Sequence, residues 1–243
     1  MKKPMQLLLM LTVAISLSSC SLLATSYTNL NPESQWAGFQ ATTSESSGWL
    51  IYKHQESPSR AIVFYPGGKV EPEAYGEFAD ALSKQVQALV IIVPMPLDLA
   101  VLGSKRANKV RRAFPNIEQW YIAGHSLGGT MAADLAYKQP GFWQGLILLA
   151  SYAQEKQDFS DRNLPVASII GTRDGLISQD KWETTLKRLP NNALTLAIEG
   201  GNHAGFGTYG PQEGDSDALI SPWKQQQITI EALVNWILGQ SNP

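Results

Sequence analysis

A single cysteine occurs among the 243 residues. A disulfide framework is therefore excluded, and the fold must be held by core packing, which a domain of this size can supply. Charge of one sign is lacking too: 19 Lys and Arg stand against 21 Asp and Glu, a formal net charge of -2. There is no basic footprint for nucleic acid and no acidic tail, so nucleic acid is not an expected partner. No apolar run reaches the roughly 20 residues of a bilayer-spanning helix. Zinc-like spacings of His, Cys and carboxylates are missing, and Asp215-Ser216-Asp217 is too sparse for a calcium loop. No metal and no cofactor is implied. Histidine is scarce, with 3 in the chain, which narrows the search for a catalytic base.

What is present reads as a globular chain: 44% of residues are hydrophobic and 16% charged. The N-terminus has a separate logic. Lys2 and Lys3 precede an apolar stretch from Met5 to about Leu17, too short to span a bilayer and suited to the core of an export signal. It ends in Leu17-Ser18-Ser19-Cys20, which resembles the lipobox of bacterial lipoproteins. The resemblance implies that Cys20 is lipidated, becomes the mature N-terminus and anchors an exported protein to a bacterial membrane in the cell envelope. The expected organisation is a signal peptide over 1–19, a lipidated N-terminus and polar tether over 20–35, and one folded domain over 36–243.

Within that domain, short apolar runs alternate with helical patterns. The runs Trp49 to Tyr52, Ala61 to Tyr65, Ala88 to Val93, Trp120 to Ala123, Leu146 to Ala150, Val166 to Ile170 and Leu194 to Ile198 predict strands. Their continuous apolarity suits parallel strands covered on both faces. After Pro72, the stripe Tyr75, Phe78, Ala79, Leu82, Val86 predicts a helix; Leu99, Leu102 and Val110 begin a second, and Ile230, Leu233, Val234, Ile237 and Leu238 form a third with Gly239 as its stop. The basic run Lys105, Arg106, Lys109, Arg111 and Arg112 reads as a solvated helix face. The fold class is α/β: a doubly wound, mainly parallel sheet with helices on both faces, whose ligands gather at the carboxyl ends of the strands.

Three features sit where such chemistry belongs. The strand at Trp120 runs into Gly124-His125-Ser126-Leu127-Gly128-Gly129 and then an Ala-rich helical segment. The glycines permit a strained turn that thrusts Ser126 outward as a nucleophile. A serine hydroxyl needs a base. His125 lies inside the turn and would point away from Ser126, and His54 precedes the central strands, so His203, in the loop after the strand ending at Ile198, is the expected base. Asp174, directly after the strand ending at Ile170, completes the order Ser, Asp, His and would orient it, with Glu199 and Asp180 as substitutes. An oxyanion needs two N–H donors. One is Leu127; the other is Gly67 or Gly68 in Tyr65-Pro66-Gly67-Gly68-Lys69, with Gly67 preferred, because Pro66 has no N–H.

Together these residues resemble the α/β-hydrolase superfamily over about residues 48 to 240. The Gly67-Gly68 loop and the stretch Gly201 to Gly207 are similar to its compact branch, the alpha/beta hydrolase fold-five domain related to dienelactone hydrolases. Tyr65-Pro66 stands where many relatives carry His-Gly. The short span from Ala150 to Val166 leaves no room for a large lid. The resemblance implies a serine hydrolase, carboxylesterase-like, that cleaves a small-molecule acyl substrate through an acyl-enzyme. An acyltransferase with the same triad and a non-catalytic envelope-binding lipoprotein are the alternatives.

Overall fold

The computed structural model describes residues 26–28, 42–43 and 48–240. The expected export signal, Cys20 and most of the expected tether lie outside these residues. An eight-stranded sheet is built from β1 (Thr42–Thr43), β2 (Leu50–Tyr52), β3 (Arg60–Tyr65), β4 (Leu89–Ile92), β5 (Gln119–His125), β6 (Gly145–Leu149), β7 (Val166–Gly171) and β8 (Leu194–Ile198). Its order is β1-β2-β4-β3-β5-β6-β7-β8. The pairs β1/β2 and β2/β4 are antiparallel and the rest are parallel. All seven apolar runs are strands, and only the two threonines of β1 escape an apolar pattern.

Among the described residues, five α-helices cover the sheet: α1 (Gly76–Val86), α2 (Ala107–Ala113), α3 (Leu127–Lys138), α4 (Gln179–Leu186) and α5 (Pro222–Gly239). Alternation along β3 explains the two cores. Ile62 and Phe64 face one side with Phe78, Leu82, Leu233 and Ile237, while Ala61, Val63 and Tyr65 face the other with Val110, Ala132 and Leu135. These central strands are buried on both faces, which is why their sequences do not alternate. Helix starts are marked locally: Ser178 and Ser221 accept the N–H of Lys181 and Lys224, each at 3.2 Å, at the N-caps of α4 and α5. Helix α5 has Gly239, the expected stop, as its last residue, with Gln240 as its C-cap.

The expected stripe beginning at Leu99 does not make one helix. Residues 94–106 form two 3-10 turns, Pro96–Asp98 and Ala100–Leu102, and helix begins only at Ala107. Leu97 and Asp98 adopt left-handed φ values of 53° and 54° after Pro96, and a Cβ on Gly103 would lie 2.9 Å from Met95 Sδ, so the chain folds back on itself. Leu102 is left exposed. The basic run is also less solvated than expected, since Arg106 donates to Pro94 O at 2.6 Å and Arg111 Cζ lies 3.2 Å from the centre of the Phe142 ring. In the segment expected as a tether, Tyr27 docks onto the domain: it bridges to Val70, accepts the Glu71 N–H at 2.9 Å and packs on Tyr209 with ring centroids 5.5 Å apart.

Candidate active site

The carboxyl ends of β3, β5, β7 and β8 bring four loops together. At the end of β5, Ser126 has φ 51° and ψ -121°, a conformation that a side-chain-bearing residue adopts only under constraint. The constraint is steric. Added Cβ atoms would lie 2.5 Å from Gly128 C at Gly124 and 2.1 Å from Tyr65 O at Gly128, so only glycine lets strand, turn and helix close up. Ser126 N donates to Leu149 O at 2.9 Å, and Ser151 Oγ donates to Ser126 O at 2.9 Å. Its side chain is half-buried at the N-terminus of α3.

His203 lies in the loop after β8, with its ring 4.8 Å from the ring of His125, the neighbour of Ser126. Nδ1 donates to Asp174 Oδ2 at 2.8 Å, and both side chains are 1% exposed. Asp174 stands after β7, where Oδ1 accepts the N–H groups of Leu176 at 2.9 Å and Ile177 at 2.7 Å. These donors fix the orientation of the carboxylate. With Nδ1 committed as a donor, Nε2 is the free lone pair of the ring. It is buried and has no hydrogen-bond partner among the described residues, so Ser126 Oγ is not bonded to it in this state. Apo sites commonly tighten such contacts only with substrate bound. Glu199 and Asp180, the substitute carboxylates, are exposed and make no hydrogen bond to His203. His54 is elsewhere, bonded to Asp80 at 2.8 Å.

Gly67, the preferred second oxyanion donor, has its N–H already engaged. Gly67 N–H donates to Tyr75 Oη at 2.9 Å, and a Cβ there would lie 2.8 Å from His125 Nδ1, so this N–H points into the interior. Gly68 N–H has no such acceptor, and its Cα faces Leu127, whose Cδ2 an added Cβ would meet at 3.1 Å. The N–H of Leu127, first residue of α3, is likewise outside the helical ladder. Among the described residues neither N–H has an acceptor, and Gly68 lies against Leu127, the residue after Ser126.

Several residues of this region carried no sequence signal. Asp215, set aside as part of a sparse acidic pair, accepts His203 N–H at 3.2 Å and Gly175 N–H at 2.9 Å on Oδ1, and Ala204 N–H at 2.9 Å on Oδ2. It braces the turns that carry both His203 and Asp174. Gln225 of α5 clamps Asn202, accepting its N–H at 3.0 Å and donating to its carbonyl at 2.8 Å. Buried glutamine on a helix face that apolar periodicity assigns to the core is the signal that would have found it. His125 is fully buried, and burial, with His203 alongside, pushes its imidazole well below the usual histidine range. Residues 150–165 contain no helix or strand, so this segment supplies no folded lid. Among the described residues no group of three or more His, Cys, Asp or Glu could hold a metal.

Comparisons with known proteins agree with this architecture. Solved structures with the same fold include Est1E from Butyrivibrio proteoclasticus, 14% identical, TM-score 0.60, covering 85% of this chain and 100% of that one. Est2, an esterase from Thermogutta terrifontis, is 15% identical with TM-score 0.56, covering 84% of this chain and 94% of that one. MGS-MChE2, an alpha/beta hydrolase enzyme from a Mar Chica lagoon sediment metagenome, is 14% identical with TM-score 0.62, covering 83% and 99%. No curated protein matches. The model of the Alpha/beta hydrolase family matches residues 61–227, from the first central strand through the elbow, Asp174 and His203, and the chain belongs to that family.

Proposed function

We propose that this protein is a serine hydrolase that cleaves an ester-like acyl bond through an acyl-enzyme. One observation carries the reading: a buried imidazole, held by Asp174 through Nδ1, keeps Nε2 unpartnered, and its ring packs on that of His125, the neighbour of a serine in a strained strand-to-helix turn. In the forward step Ser126 Oγ attacks the substrate carbonyl while its proton passes to His203 Nε2. Asp174 accepts from Nδ1–H and stabilises the imidazolium. The N–H groups of Leu127 and Gly68 receive the oxyanion. Collapse expels the leaving alcohol, which takes the proton from Nε2; water then repeats the sequence in reverse, giving a carboxylic acid and free Ser126.

The open site and the Gly67-Gly68 loop fit the compact branch related to dienelactone hydrolases better than a lidded lipase. An exported, Cys20-anchored protein is part of the same proposal. Ser26 Oγ donates to Asp98 in the loop after β4, and six residues from Cys20 to Ser26 span at most about 21 Å. The anchor would then approach the domain from the end that carries Ser126. Among the described residues no helix is long and apolar enough to cross a membrane, so attachment would rest on the lipid.

Labelling with a fluorophosphonate probe tests the chemistry. Wild type is expected to label, and Ser126→Ala and His203→Ala to lose labelling at least a hundredfold. A folded wild type that stays unlabelled would overturn the catalytic reading in favour of a binding module.

A further inference from the structure

The elbow histidine takes no part in the steps above, yet it is among the most tightly placed polar groups in the molecule. His125 is 0% exposed, Tyr75 is 0% exposed and His203 is 1% exposed. His125 Nε2 lies 3.0 Å from the carbonyl oxygen of His203, and His125 Nδ1 lies 2.8 Å from Tyr75 Oη, which in turn lies 2.9 Å from Gly67 N. Chemistry assigns the direction of every bond. A carbonyl only accepts, so His125 Nε2 carries the ring proton. Nδ1 of the neutral ring is then an acceptor, and Tyr75 Oη must give it the phenolic proton. That leaves a lone pair on Tyr75 Oη to accept from Gly67 N–H. The chain runs one way, from Gly67 through Tyr75 and His125 to His203.

We infer that Tyr75 and His125 are positioning residues, and that this directed chain locks the oxyanion loop to the histidine loop. The inference rests on the hydrolase reading of the site. Holding the Gly67 peptide by its N–H sets the orientation of the next peptide, whose N–H belongs to Gly68. At the other end, holding the His203 carbonyl limits rotation of the backbone that carries the imidazole, on the opposite side of the loop from Asp215. Each link is buried, where a hydrogen bond is strong and an unmade one costly. Phe206 and Tyr209 pack near the His125 ring, with centroids 5.8 and 6.4 Å away.

The experiment combines two readouts on the full chain. Nitrogen-15 NMR of the histidine rings reports which ring nitrogen carries the proton, and stopped-flow kinetics with a short-chain p-nitrophenyl ester separates kcat from KM. Wild-type His125 is expected to be neutral with its proton on Nε2. Tyr75→Phe, which removes one oxygen and keeps the ring, is expected to shift the His125 Nδ1 resonance, lower kcat about tenfold and change KM less than twofold. A proton on Nδ1 in wild type, or an unchanged Nδ1 resonance and kcat in Tyr75→Phe, overturns the inference. Should Tyr75→Phe not fold, the wild-type tautomer decides alone. A wild type inert to both ester and fluorophosphonate, with the Nε2 proton in place, sinks the hydrolase reading and leaves the chain as scaffold without the positioning role.

Discussion

The Ser126 turn and the histidine loop stand side by side, and they are held by opposite means. Around Ser126 the geometry is enforced by backbone packed on backbone: Gly128 touches the Tyr65 carbonyl and Gly124 touches Gly128, with no room for a Cβ. Around His203 it is enforced by side chains sent in from other parts of the chain: Asp215 to the His203 and Ala204 amides, Gln225 to Asn202, Asp174 to the imidazole. Steric closure tolerates almost no substitution, because a misplaced atom inside van der Waals contact has no low-energy escape. Hydrogen-bonded closure degrades by steps, because each lost bond leaves the others in place. The serine turn is therefore held as one rigid unit and the histidine loop as a sum of separable supports.

Three substitutions or conditions would break or sharpen that contrast. The largest effect is expected from Gly128→Ala, where a methyl would meet the Tyr65 carbonyl at 2.1 Å. Overpacking of a closed site costs about 1–3 kcal/mol and sometimes more, so a urea midpoint should fall by at least that equivalent with Ser126 labelling lost. An unshifted midpoint would mean that the turn is softer than the contacts imply. Asp215→Asn should act more gently. The amide keeps one acceptor oxygen, so stability is expected to drop by about 1–2 kcal/mol and the labelling rate about tenfold, with labelling still present. Complete loss of labelling in a folded Asp215→Asn would erase the distinction between the two regions.

The smallest effect is a pH slope that joins the two regions through His125. Its folded pKa is depressed by burial below the unfolded value near 6.5. Below 6.5 the unfolded chain binds a proton that the folded chain refuses, so stability is complete above that pH and declines as pH falls toward the folded pKa. The contribution is at most about 1.4 kcal/mol per pH unit. Comparing urea midpoints at pH 7.5 and 5.5 for wild type and His125→Gln checks it; equal slopes in the two proteins would remove His125 as the source.

Much of the frame was legible before the structure. Continuous apolar runs such as Leu146 to Ala150 identify doubly covered strands because burial on both faces removes every polar position, and the strand-turn-helix context of Gly124 to Gly129 identifies the elbow because the glycines it needs are near neighbours of Ser126 in the chain, even though Gly128 is pressed against Tyr65 of another strand. The run from Leu99 misled, since three apolar residues at helical spacing do not register the backbone reversal at Leu97, Asp98 and Gly103. Tyr27 was hidden for the same kind of reason: a lone aromatic in a polar segment gains its value from Val70 and Tyr209, which lie far along the chain.

What the sequence by itself determined is therefore whatever rests on local sterics and on the period of burial: the parallel sheet, the strained Ser126 turn, and the order of Ser126, Asp174 and His203 along it. Tertiary structure alone decided which groups remain free to act. Gly67 and Gly68 are adjacent and chemically alike, and nothing within the loop separates them. The Tyr75 hydroxyl, presented to the loop by the following turn, takes the Gly67 N–H and leaves that of Gly68 unbonded, because a buried donor pairs with whichever acceptor the fold brings within reach.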